Sequence, residues 1–190
     1  TAGVGHVVCL SIVNVTDPTV RRLTGYYAGK AAQEQAYAAG PVPLTLARTT
    51  AWFSLAETFL SQIRLGPLAL VPGLALQPVH PLAAATFVAD AVESGPAPTS
   101  PPSTSPTHAG PTHAGPTSTG PTSTGPTVPQ LAGPQVMDAA VMARAVASAR
   151  HPGVRVTRLP IPVRGLREAL LPEPGVPQDQ RTFEEWLTQA

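Results

Sequence analysis

Residues 6–15 read HVVCLSIVNV, and residues 25–40 read GYYAGKAAQEQAYAAG. The first run is almost wholly apolar or small and rich in β-branched residues, the composition of a parallel strand buried on both faces. A turn is expected around Asp17-Pro18-Thr19. The second run has the Ala, Gln and Glu content of a helix, and its closing Gly40 suits a left-handed C-cap. Leu44–Arg48 (LTLAR) reads as the next short strand. Strand, helix and strand in this order predict a right-handed crossover, the unit of an open parallel α/β sheet.

Within that unit Tyr26 and Lys30 stand one helical turn apart, so both side chains leave the same face. Ser11 falls near the carboxyl end of the preceding strand, where open α/β sheets place their ligand crevice. A phenol is a poor proton donor at neutral pH unless an ammonium nearby favours its phenolate form. A serine hydroxyl beside it can orient a carbonyl. The trio is therefore expected to protonate a carbonyl oxygen as hydride reaches its carbon. Y-x-x-x-K also describes an ordinary surface pair on a helix. Here Lys30 is the only lysine, beside eleven arginines, and follows a buried strand that carries a serine, which favours the functional reading.

At these residues the chain resembles the middle of the short-chain dehydrogenase/reductase superfamily, in its atypical NmrA-like branch of NAD(P)-binding proteins. The resemblance rests on VVCLSIVNV, GYYAGKAAQEQA and AGPVPLTLARTTAWF. It implies that Ser11, Tyr26 and Lys30 fall on the superfamily's active-site serine, tyrosine and lysine, with Lys30 also bonding the nicotinamide ribose. Arg48, Thr49 and Thr50 would fall on the loop that passes the nicotinamide carboxamide. Many NmrA-like members lack the tyrosine and act as redox sensors or unusual reductases; its presence here leans toward a reductase. The implied cofactor is NAD or NADP, undecided because the selecting residues of the family lie upstream of this point. So do its first four strands and the Gly-rich turn that meets the pyrophosphate. Gly3-Val4-Gly5 is no such turn: it precedes a strand, lacks the third glycine and opens no helix.

The fold so implied is α/β: part of a Rossmann-type doubly wound parallel sheet with a small C-terminal lobe. Residues 1–94 would be the C-terminal half of the NAD(P)-binding domain, 95–129 a disordered insert, and 130–190 the substrate-side lobe. Three functions are in view: an NAD(P)-dependent oxidoreductase reducing a small carbonyl compound, a non-catalytic NAD(P)-sensing regulator, and an inactive truncated remnant.

Composition narrows the partners. A chain of 190 residues can bury a core of useful size. Charged residues are 12% and the net charge is +1, with no basic cluster larger than Arg21-Arg22, so no nucleic-acid surface is expected. Cys9 reads as a core residue, and one cysteine offers neither an intrachain disulfide nor a zinc set. The run Leu65–Ala89 has no Asp, Glu, Lys or Arg, yet Pro67, Pro72, Pro78 and Pro81 break it, which argues against a membrane span. With no signal peptide visible, a cytoplasmic location and a small-molecule substrate are the expectation. Oligomeric state is unreadable.

Further along, Trp52–Leu65 places Trp52, Leu55, Ala56, Phe59, Leu60 and Ile63 at helical spacing. Trp52 and Phe53, just after the second strand, are expected to line a substrate pocket. Leu68–Val71 and Leu74–Val79 read as short strands. QPVHPLAAATFVADAVESG resembles the family's Q-P-V stretch and following helix, but Ala83-Ala84-Ala85 stand where relatives usually carry an acidic residue followed by Val-Ala. His80 there reads as structural. Gly95–Pro129 has no charged residue and repeats THAGP at 107 and 112 and TSTGP at 117 and 122. Prolines at that period forbid helix or ladder, so an extended, disordered loop is predicted, with no metal site at His108 and His113. Val128–Pro134 is similar to the family's strand ending in A-G-P. A helix over Val136–Ala149, with Val136, Ala140, Val141 and Ala145 on one side, a half-exposed strand over Gly153–Leu159 and a helix over Val163–Leu171 follow. Thr182 and Glu185 have capping-box spacing, and the T-F-E-E-W-L ending resembles the close of NmrA-like proteins.

Overall fold

A computed structural model describes residues 3–96, 128–163 and 165–189. The pentapeptide repeats, with His108 and His113, lie outside the described residues.

β1 (Val7–Ile12) pairs in parallel with β2 (Leu44–Thr49), from Val7 opposite Leu44 to Ile12 opposite Thr49. Between them run α1 (Pro18–Leu23) and α2 (Gly25–Ala38). The turn expected at Asp17-Pro18-Thr19 is instead the start of α1. Asp17 Oδ1 accepts from the Thr19 and Val20 amides, and Pro18 occupies the first turn, where its missing N–H costs nothing. Gly40 is not the left-handed cap of α2: Ala39 ends the helix in right-handed geometry, its amide reaching the Gln35 carbonyl.

α3 (Leu55–Gln62) is shorter than the periodicity predicts, because Trp52 bridges to Val79 and Arg64–Leu65 leaves as β3. β3 pairs antiparallel with β4 (Leu68–Pro72), and β4 pairs in parallel with β8 (Arg155–Leu159). The expected strand over Leu74–Val79 shrinks to β5 (Ala75–Leu76), which pairs antiparallel with β7 (Met137–Asp138). β6 (Gln130–Leu131) extends the first sheet beyond β2. The fold is thus mixed α/β with parallel strands, as expected. Among the described residues the strands are shared among three small sheets rather than one, since Pro72-Gly73 and Pro78 interrupt the ladder between β4 and residue 79.

α4 (Pro81–Glu93) follows His80, and α5 (Ala139–Arg150) is capped by Asp138, whose carboxylate accepts from the Ala140 amide. That start leaves Val136 outside the helix. The buried face of α5 carries Ala139, Ala140, Met142, Ala143, Val146 and Ala147, while Val136 and Val141 are exposed, so Ala140 and Val141 do not share one environment. α6 (Leu166–Leu170) and α7 (Phe183–Thr188) complete the chain, α7 opening on the predicted capping box of Thr182 and Glu185.

One apolar core unites Val20, Phe53, Phe59, Val71, Met142 and Phe183. Residues after 130 therefore share packing with those before 94. No described helix is long and apolar enough to cross a membrane.

Candidate functional site at the carboxyl ends of β1 and β2

Strand alternation puts Cys9, Ser11 and Val13 on one face of β1, and their parallel partners put Arg48 on the same face of β2. α2 lies against it. Just past the carboxyl ends of both strands opens a cavity of about 590 Å³. Ser11, Tyr26, Lys30, Thr49, Thr50 and Trp52 all contribute to its wall. Six of the eight residues anticipated from the sequence are thereby brought to one place.

Ser11 and Thr50 are almost wholly buried, at 4% and 2% exposure, and neither hydroxyl oxygen has a partner with good hydrogen-bond geometry, although the Ser11 hydroxyl lies toward the Glu34 carboxylate. Unpaired polar atoms beneath a cavity wall are uncommon, because each forfeits the water it gave up on folding. Thr49 Oγ1, by contrast, accepts from Trp52 Nε1 at 3.1 Å, which fixes the indole at the rim. Tyr26 stands at the mouth, 58% exposed, with its ring edge-on to Tyr27 at 5.8 Å. Lys30 Nζ donates to the Leu10 carbonyl at 3.1 Å and to Gln33 Oε1 at 3.0 Å, which places the ammonium beside β1.

Two anticipated residues, Arg48 and Phe53, face elsewhere. Arg48 and Thr49 belong to β2 rather than to a loop, and the Arg48 guanidinium makes a two-pronged pair with Glu34 of α2, Nε to Oε1 at 2.9 Å and Nη2 to Oε2 at 2.6 Å. Burial pushes the Glu34 carboxyl upward. The Arg48 hydrogen bonds, the nearby Ser11 hydroxyl and the charges of Arg48 and Lys30 outweigh it, holding the group below the usual carboxylate range. Phe53 is fully buried and packs against Phe183 at 5.4 Å and Trp186 at 6.0 Å, so it belongs to the core and not to the pocket.

The structure also adds residues that the sequence did not single out. Tyr27 shares the wall, and its burial, with Tyr26 adding in the same direction, pushes its phenol up to about 12, so it remains a neutral hydroxyl. Leu55 of α3, Leu74 just before β5, Leu76 of β5 and Leu170 of α6 supply apolar wall. Leu170 arrives there because Asn14, just past β1 at a left-handed φ of 56°, sends its side-chain amide to the Ala169 and Leu171 carbonyls. Those are the unsatisfied carbonyls of a helix end, and Asn tolerates the conformation that aims at them. Only a signal linking position 14 with 169 could have revealed it.

Cys9 is buried; burial raises its thiol, the Lys30 ammonium opposes, and Glu34 adds to the rise, so it is no ready nucleophile. His80 caps α4, its Nδ1 accepting from the Leu82 amide at 3.0 Å, and stacks edge-on against Phe53 at 5.9 Å. No cluster of three or more metal-ligating side chains occurs among the described residues. Compared with known families and curated proteins, the chain matches no family model and no curated protein.

Proposed function

We propose that this cavity is the carbonyl-binding side of an NAD(P)-dependent oxidoreductase of the NmrA-like short-chain dehydrogenase/reductase type, on a Rossmann-type framework, acting on a small molecule in the cytoplasm. One observation carries the reading. A hydroxyl, a phenol and the sole lysine meet at the carboxyl ends of two parallel strands, and Ser11 Oγ and Thr50 Oγ1 are buried there without partners.

These residues fit the nicotinamide end of the cofactor. The unpaired Thr50 hydroxyl suits the carboxamide and Lys30 suits the ribose. No glycine turn between a strand and a helix serves the pyrophosphate among the described residues, since Gly3 and Gly5 precede β1 and Gly25 and Gly29 lie within α2. A reduced nicotinamide, when bound, supplies the hydride that the carbonyl carbon gains. Ser11 donates to the carbonyl oxygen and orients it. Tyr26 gives that oxygen a proton, so the product is an alcohol. Standing in solvent at the mouth, Tyr26 regains its proton from water. Arg48, engaged by Glu34, instead stiffens the floor between β2 and α2.

The test is carbonyl-dependent oxidation of NADPH and NADH by the chain at saturating cofactor. Turnover is expected, and Tyr26→Phe should lower kcat at least about 100-fold with KM changed only a few-fold. Equal turnover by the variant would remove Tyr26 from the chemistry. A second reading, a cofactor-sensing protein without turnover, draws on Lys30 donating to Leu10 and Gln33 rather than to Tyr26. It predicts cofactor binding, altered capture of a partner, and no product.

A further inference from the structure

The cavity's own wall selects among carbonyl compounds. Lys30 is the one ionised side chain contributing to it among the described residues, and its ammonium already meets two oxygens. No carboxylate, arginine or histidine of the described residues lines the space. A second charge on a ligand would therefore enter without a counter-ion, and although Thr24, Ser54, Thr58 and Gln62 also reach the wall, their polar atoms make up the smaller part of it. Most of the surface presented to the cavity is apolar, and Leu55, Leu74, Leu76 and Leu170 contribute to it. Two unpaired hydroxyls serve one acceptor group, and the leucines serve an apolar body.

We propose that the substrate is a carbonyl compound with a single acceptor and an extended apolar body, a medium-chain or aryl ketone or aldehyde, rather than a sugar-like or doubly charged one. The size agrees: about 590 Å³ lies within the ~300–1,000 Å³ of small-molecule sites and exceeds what a three-carbon carbonyl compound fills. This inference rests on the carbonyl-reducing reading of the same cavity for its chemistry, but the ligand class can be read without cofactor.

Trp52 at the rim provides the readout. In a Trp186→Phe background it is the sole tryptophan, since the sequence holds two. Its fluorescence would be titrated with 2-butanone, 2-hexanone, 2-octanone, dihydroxyacetone and 2-oxoglutarate, with free N-acetyltryptophanamide as the control for collisional quenching. Affinity is expected to rise roughly threefold per added methylene up to 2-octanone. Dihydroxyacetone and 2-oxoglutarate should bind at least about tenfold more weakly than 2-octanone. Leu74→Ser and Leu55→Ser, both at half-buried positions, should flatten the chain-length dependence, while Ser11→Ala weakens the whole series alike.

A flat series in the parent protein, or dihydroxyacetone binding as tightly as 2-octanone, overturns the inference. Preferential turnover of sugar-like carbonyls would overturn it too, while leaving the reductase reading standing. A steep series without any cofactor-dependent product would uphold the ligand class and sink the reductase reading.

Discussion

Gly133→Ala is expected to destabilise the fold by about 3 kcal/mol or more, at the upper end of what single substitutions do. A Cβ at position 133 would overlap the carbonyl group of Pro78, which is backbone and cannot swing aside. Both chains at this crossing are pinned. The Gln77 side-chain amide donates to the Gly133 carbonyl at 2.8 Å, the Val79 amide donates to Ala51 at 2.8 Å, and the Ala132 amide donates to Pro177 at 2.9 Å. Moving either segment breaks buried hydrogen bonds that hold the first sheet against the C-terminal segment. Gly29→Ala is the matched control: position 29 lies inside α2, exposed, with nothing near a new Cβ, so it should stabilise by up to about 1 kcal/mol. Urea midpoints of the two variants check both signs. Parent-like stability for Gly133→Ala would mean that the two strands do not cross as closely as described.

The second large effect lies beneath the site. Glu34→Ala strands the Arg48 guanidinium, whose side chain is 17% exposed, and is expected to cost about 3–5 kcal/mol. Replacing both partners, Glu34→Leu with Arg48→Met, should recover most of that loss, because no unpaired charge remains. The pH dependence follows from the same pair. Glu34 is held below its ordinary range in the folded chain. Its contribution is therefore fully present above the unfolded carboxylate value of about 4.3 and is lost as pH falls through the lower folded value. Acid unfolding of the parent should accordingly be steeper below about pH 4.3 than that of Glu34→Gln. Equal acid sensitivity of the two would show that Glu34 does not contribute to it.

These contrasts also mark where sequence reading reaches its limit. The β1–α2–β2 unit was legible because its signals are local: a β-branched run, an Ala-rich helix and a short strand in one continuous stretch. The convergence of Ser11, Tyr26 and Lys30 on one wall follows from that unit alone. α1 was missed because Asp17-Pro18 serves equally as a turn or as a helix start, and the tertiary burial of Val20 decides for the helix. Val136 falls inside the expected helix because the apolar pattern starts there, whereas Asp138 capping sets the start of α5 at Ala139, three residues later. Phe53 follows the exposed Trp52, and only its packing against Phe183 and Trp186, more than a hundred residues away, turns it inward. The partner of Arg48 was readable in principle, since Glu34 lies one turn beyond Lys30 on the same helix face. The leucine wall was not: Leu74 and Leu170 reach the cavity through contacts that no local pattern encodes.

The central claim is that Ser11, Tyr26 and Lys30 form the end of a cleft where a carbonyl is reduced. Deuterium transfer tests it most directly: the chain is incubated with 2-octanone and NADPH deuterated at the nicotinamide C4, and the alcohol is examined by mass spectrometry. The expected result is 2-octanol carrying deuterium at its carbinol carbon, with Tyr26→Phe yielding at least about 100-fold less in the same time. Absence of labelled alcohol from the parent protein at saturating cofactor and ketone, or equal yield from Tyr26→Phe, would contradict it.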